Sequence, residues 1–200
     1  MRYLPVILLL FMIWVYLLTV FLRRKLAFLH FAIGCAGMFG FLFFLLEPYA
    51  TAPLARFVCY LTGLVGKRLG TFEAFSSYGM LFIQNENGPV SLYVDFECAG
   101  LVEILVFISL VTFFDVYRWW QKLLISIGGS VWLVACNVLR LSIICNIIHW
   151  LGNEAYYVAH TIVGRVVFYA LSIILYFYVF TRRQIRTQIV GEFRYDGKTD

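Results

Sequence analysis

Charged residues are scarce in this sequence. Only 14% of its 200 residues are Asp, Glu, Lys or Arg, whereas 62% are hydrophobic. A soluble domain of this size needs a polar surface, and this composition does not supply one. Several apolar runs approach or exceed about 18 residues, the length that crosses a bilayer. The sequence therefore predicts an integral membrane protein without a sizeable soluble domain.

The sequence also lacks the patterns of two common kinds of site. Its five cysteines form no CxxC pair and no Cys/His ligand spacing, so we expect no metal or other cofactor. The net charge of +5 does not indicate nucleic acid, because the basic residues lie at the ends of apolar runs and act as topology signals. A Cys59–Cys98 disulfide fits the spacing, but a free thiol at Cys98 is the preferred interpretation.

The apolar runs predict an all-α membrane bundle of about five transmembrane helices in one domain, residues 1–182. The predicted spans cover residues 4–22, 26–46, 99–114, 123–148 and 158–180. The first run is interpreted as a span and not as a signal peptide, because its basic cluster follows it and no A-x-A site appears. Glu47-Pro48 closes the second span, and residues 183–200 form a polar tail.

The basic residues predict the orientation. Ten lie on one side of the predicted spans and four on the other, which places the N-terminus outside and the C-terminus in the cytoplasm of a bacterial cell. The segment 47–97 is then outside. Within it, residues 50–69 suit a helix lying at the membrane interface, and Asn87-Gly88 between two β-rich runs predicts a short hairpin. An isolated hairpin is marginal in water, so it should lean on the helices or on a partner.

Three polar residues reach a common depth on this topology. Counted from the cytoplasmic ends Asp115, Lys122 and Arg182, the helix rise places Cys98, Arg140 and His160 roughly 26, 27 and 33 Å away. The hydrocarbon core is about 30 Å thick, so all three arrive near its outer boundary.

These residue types suit nucleophilic catalysis. A cysteine attacks as thiolate, an imidazole takes and returns the proton, and a guanidinium stabilises negative charge or grips a carboxylate. Each residue also has a structural interpretation: Cys98 as a packing residue, His160 as an interfacial residue and Arg140 as half of an ion pair.

Neighbouring residues suggest support for this site. Glu103 and Arg165 each lie five residues deeper than the site and are predicted to pair, with a Glu103–Arg140 pair as the alternative. Asn137 is three residues before Arg140 on the same helix face, so it either orients Arg140 or makes an interhelical hydrogen bond. His149 is the rival base, although it lies roughly 13 Å beyond Arg140 along a continuous helix.

The motifs "ECAG" at 97–100, "NVLRL" at 137–141 and "AHTIVGRVVF" at 159–168 resemble, in order, the signature regions of the exosortase/archaeosortase family. The resemblance covers about residues 90–170 and is greatest to the compact exosortases of Gram-positive bacteria. It implies Cys98, Arg140 and His160 as catalytic residues, with Glu97, Gly100, Glu103, Asn137 and Arg165 as supporting residues. Because archaeal relatives use an arginine as the third catalytic residue, Arg165 could share or replace the role of His160.

The resemblance further implies a sortase-like cysteine transpeptidase at the outer face of the plasma membrane. Its partners would be secreted proteins that end in a short motif, a transmembrane helix and a basic cluster, together with a membrane or surface acceptor. The hairpin leads straight into Cys98, so strand addition is a possible way to hold the motif. Two other classes stay open: a non-enzymatic subunit or chaperone that binds a partner helix, and a haem or metal protein using His149 and His160.

Overall fold

The computed structural model describes residues 4–85, 88–94 and 96–182. Asn87 of the predicted turn, the predicted tail 183–200 and the side chain of Glu97 lie outside this description. The chain forms, in order, helices α1 (Leu4–Arg23) and α2 (Ala27–Leu69), strands β1 (Phe72–Phe75), β2 (Met80–Ile83) and β3 (Val90–Tyr93), and helices α3 (Phe96–Ala99), α4 (Leu101–Phe113), α5 (Trp119–Leu151) and α6 (Gly164–Tyr176). A 3₁₀ turn (Asn153–Ala155) and a π-helical segment (Val158–Val163) precede α6, and a second π-helical segment (Phe177–Thr181) follows it.

The predicted spans correspond to apolar helices of unequal length. Three helical segments are long and apolar enough to cross a bilayer, namely Ala27–Leu69, Trp119–Leu151 and Asn153–Thr181, whereas Ile7–Arg23 and Leu101–Phe113 are apolar but shorter. The prediction is therefore confirmed as five apolar helices and not as five full-length spans. The third predicted span begins two residues late, at Leu101, because the backbone turns at Gly100.

The second predicted span does not end at Glu47-Pro48. Helix α2 is 43 residues long and includes Pro48 and Pro53, so the predicted helix over 50–69 is present as the second half of α2 and not as a separate element. Proline removes one helix hydrogen bond, but neighbouring helices and Ser/Thr side chains compensate in membrane bundles. Between the two prolines, the Thr51 hydroxyl donates to the Glu47 carbonyl at 2.7 Å. At 1.5 Å per residue, α2 is roughly 65 Å long, about twice the hydrocarbon thickness.

The predicted hairpin is present as β2 and β3, and a third strand, β1, extends it to a three-stranded antiparallel sheet. The strand order is β1-β2-β3, and the sequence-based prediction missed β1. The sheet leans on the helices, as expected, because one of its faces is apolar. Leu81, Ile83 and Leu92 on that face pack into the same cluster as residues of α2 and α5.

Buried apolar side chains form two separate clusters. The sheet-side cluster joins the sheet to α2 and α5 and includes Cys98 and Ala159. The bundle cluster lies among α4, α5 and α6, and consists of Phe107, Val111, Leu133, Cys136 and Phe168. The turn that carries Cys98 thus belongs to the first cluster, while α6 contributes Phe168 to the second.

Candidate active site

Cys98 and His160 are in direct contact. The Cys98 Sγ lies 3.4 Å from the His160 Nε2, although 62 residues separate them in the chain. Cys98 is only 3% exposed and is a free thiol, so the Cys59–Cys98 disulfide is not formed. Helix-rise counting predicted a common depth for these two residues, and the structure brings them together. Their distance permits proton transfer from the thiol to the ring nitrogen.

His160 lies in the π-helical segment and not in a regular α-helix. Such segments occur often at functional sites, since one extra residue per turn reorients the side chains. The ring of Tyr156 stacks on the His160 imidazole, with centroids 5.7 Å apart and planes within 8° of parallel. Sequence reasoning missed Tyr156. The i, i+4 spacing of two aromatic rings was the available signal.

Gly164 holds the His160 segment close to α5. A Cβ added at Gly164 would lie 2.7 Å from the Ile144 Cδ1, so α5 and α6 approach more closely here than a larger side chain allows. Gly164 is four residues after His160, about one helical turn. The contact between Gly164 and Ile144 therefore brings the segment that carries His160 close to α5.

Cys98 is positioned by a glycine turn and an asparagine. Gly100 has φ of 79°, in the left-handed region that favours glycine, and a Cβ there would lie 3.2 Å from the Asn137 Nδ2. Asn137 is fully buried on α5, and its Nδ2 donates to the backbone carbonyl of Cys98. Of the two roles predicted for Asn137, the structure shows the interhelical hydrogen bond, which holds the backbone of the cysteine.

Arg140 lies one turn beyond Asn137 on α5 and is 7% exposed. Its guanidinium carbon sits 5.9 Å from the centroid of the Phe168 ring on α6, a cation–π contact. Its Nε is buried and makes no hydrogen bond to the described residues. A buried cation with an unused donor is costly unless an anion lies beside it, so Arg140 is suited to bind one.

The predicted pair of Glu103 and Arg165 is not found. In the described part of the chain, no salt bridge joins Glu103 to Arg165 or to Arg140. Arg165 is exposed on α6, beside Gly164, which faces α5. Glu103 is partly buried on α4. The two charges failed to meet because equal depth on two helices does not fix which way each side chain points.

His149, the rival base, contacts the sheet and not the cysteine. Its Nδ1 lies 2.6 Å from the backbone carbonyl of Gln84, so this nitrogen carries the proton. Helix α5 continues unbroken to Leu151, which keeps His149 about 13 Å along the axis from Arg140.

A buried free thiol against an imidazole, at the end of an apolar helix bundle, defines a class: membrane-embedded helical proteins with a cysteine–histidine pair. Residues 2–178 match the family model described as transmembrane exosortase (Exosortase_EpsH). The chain therefore belongs to the transmembrane exosortase family, which confirms the resemblance of its motifs. No curated protein and no solved structure matches the chain.

Proposed function

We infer that this protein is a membrane-embedded cysteine transpeptidase. It cleaves the C-terminal sorting signals of secreted proteins and passes the new carboxyl end to a membrane or surface acceptor. The observation that carries this proposal is the 3.4 Å contact between the Cys98 Sγ and the His160 Nε2. The buried Arg140 and the family assignment support it.

The first half of the proposed reaction is acylation. The Cys98 proton passes to His160, and the thiolate attacks the carbonyl carbon of the scissile peptide bond. Arg140 stabilises the oxyanion, or binds a nearby substrate carboxylate. The carbon–nitrogen bond then breaks, and the leaving amine takes the proton from His160. A thioester joins the secreted protein to Cys98, and the C-terminal helix with its basic tail departs.

The second half resolves the thioester. An amine or hydroxyl of the acceptor attacks the carbonyl and loses its proton to His160. The carbon–sulfur bond breaks, and the Cys98 sulfur recovers the proton. The acceptor now carries the secreted protein, and no redox partner is needed. We place this site at the outer face of the plasma membrane, with the C-terminus in the cytoplasm.

The test compares the exported proteins of cells that carry either the native protein or Cys98→Ala. Mass spectrometry of protein C-termini should show that proteins ending in a motif, an apolar helix and a basic cluster keep that tail in the variant. Cys136→Ala is the matched control, because Cys136 is equally buried but lies in the bundle cluster. Normal trimming in the Cys98→Ala cells would overturn the proposal and favour a non-enzymatic membrane subunit.

A further inference from the structure

Strand β3 is one of the two edge strands of the sheet in the described part of the chain, and the other, β1, packs against α2. The order β1-β2-β3 leaves β3 paired on one side, with β2. Exposed edges in natural proteins are usually blunted by charges, an internal proline, a bulge or a covering segment. Between Val90 and Tyr93, β3 has no charge and no proline. The edge therefore keeps its capacity to pair from Ser91 onward, whereas Pro89, just before the strand, has no N–H to donate.

The register identifies the backbone groups at this edge. In an antiparallel ladder, the N–H and C=O of one residue point to the same side, and the side alternates along the strand. The Val94 N–H donates to the Gly79 carbonyl at 2.8 Å, and the register pairs Leu92 with Leu81. Val94 and Leu92 thus point toward β2. The N–H and C=O of Ser91 and Tyr93 point to the free edge.

The exposed face of the sheet carries a row of large apolar side chains that ends at this edge. Phe75 lies opposite Met80, and Met80 lies opposite Tyr93, one residue from each strand. All three side chains are exposed, Tyr93 by 60%. A fourth strand beside β3 would place one of its own side chains next to Tyr93, at the end of this row.

The edge also leads to the thiol. Five residues take the chain from Tyr93 to Cys98, a distance of at most about 18 Å even if fully extended. The turn of α3 shortens it further. An extended peptide beside β3 therefore lies near the nucleophile, and its next residues can reach Cys98.

We propose that the cleavage motif of the substrate pairs with β3 as a fourth strand, bound by the backbone of Ser91 and Tyr93, and that its residue beside Tyr93 is apolar. This inference rests on the proposed function and specifies how that site selects its substrate. Backbone pairing gives affinity for an extended segment of almost any sequence, while the row Phe75–Met80–Tyr93 favours an apolar side chain at one position.

The test is Ser91→Pro, with Ser91→Ala as its matched control. Proline at 91 deletes the outward N–H and fills the edge with its ring, yet it removes no bond to β2. Alanine keeps the N–H. In the C-terminal mass spectrometry of exported proteins, trimming should fall about ten-fold or more in Ser91→Pro and stay near normal in Ser91→Ala, since a lost hydrogen bond and a steric block act together. Alkylation of Cys98 should be unchanged in both.

A second variant covers the case in which Ser91→Pro does not accumulate in the membrane. Tyr93→Pro deletes the other outward N–H, and it is compared with Tyr93→Ala, which loses the same ring but keeps that N–H, so the difference between the two reports the N–H alone. Normal trimming in either proline variant overturns the strand-pairing proposal. If Cys98→Ala abolishes trimming while a proline variant does not, the strand-pairing proposal is overturned and the proposed function is kept. If Cys98→Ala itself trims normally, the proposed function fails with it.

Discussion

The side-chain amide of Asn137 donates a hydrogen bond to the backbone carbonyl of Cys98. This bond links the middle of α5 to the turn before α4, so the position of the thiol depends on a neighbouring helix. Asn137 acts through Cys98 and is a positioning residue. Its loss should leave the chemistry of the thiol intact but move the sulfur.

We expect Asn137→Ala to lower the rate of substrate cleavage about 100-fold, because a displacement of about 1 Å has effects of that size. The measurement is cleavage rate against membrane protein level. Asn146→Ala is the matched control, since the Asn146 amide bonds within its own helix, to the Ser142 carbonyl. Equal losses in the two variants would show that Asn137 contributes only general stability.

Gly100→Ala tests the glycine turn. The left-handed backbone there disfavours a side chain by about 1–2 kcal/mol, and the new Cβ would also press on Asn137. We expect lower thermal stability together with lower cleavage. Gly128→Ala in α5 has open space around the added Cβ and should be stabilising or neutral. A fully active, equally stable Gly100→Ala protein would contradict the assigned turn.

Gly164→Ala should reduce cleavage, because the added side chain pushes α6 away from α5 and so increases the distance between His160 and Cys98. The added Cβ would meet the Ile144 Cδ1. Because Ile144→Val removes that atom, we expect the double variant to recover activity lost in Gly164→Ala. The double-mutant cycle should give an interaction of about 0.5 kcal/mol or more. Additive effects would mean that this contact does not set the position of His160.

Substitution of Arg140 should lower substrate cleavage far more than substitution of Arg165. Arg140→Gln should lower cleavage about 100-fold or more, as loss of an oxyanion donor does, and Arg140→Lys should rescue little because lysine lacks the planar fork. Arg165 is exposed, so Arg165→Gln should stay near normal. The cleavage rate of His160→Gln is the reference against which the rate of Arg165→Gln is compared. If Arg165→Gln were as inactive as His160→Gln, the two residues would share one role.

Sided labelling tests the predicted orientation. Tyr78 beside the sheet and Trp119 at the start of α5 are both exposed. In intact cells, an impermeant maleimide should label Tyr78→Cys and spare Trp119→Cys, which should react only after lysis. The reverse pattern would place Cys98 on the cytoplasmic side and remove the basis for acting on exported proteins.

The sequence predicted the helices well because apolar runs of that length rarely form anything other than membrane helices. It missed the continuation of α2 past Pro48, since proline stops a helix only when neighbouring packing does not compensate. It missed β1, because four residues with one buried position carry little periodic signal. These are effects of tertiary contacts that local patterns do not contain.

The candidate site was predictable in part. Helix rise and the family motifs selected Cys98 and His160, which lie in contact, while their catalytic role stays a prediction. The partner of Asn137 and the separation of Glu103 from Arg165 were not predictable, because they depend on the rotation of each helix about its axis. Spacing along one chain fixes depth in the membrane and leaves that rotation undetermined.

The two apolar clusters have a practical consequence for any assay. The thiol belongs to the sheet-side cluster, whereas the guanidinium of Arg140 rests on Phe168 of the bundle cluster. A detergent that loosens the bundle would separate Arg140, the proposed anion-binding group, from Cys98, the proposed nucleophile. Purified protein that has lost turnover but still reacts with iodoacetamide would then keep the native surroundings of Cys98. Returning this protein to lipid bilayers should restore its turnover.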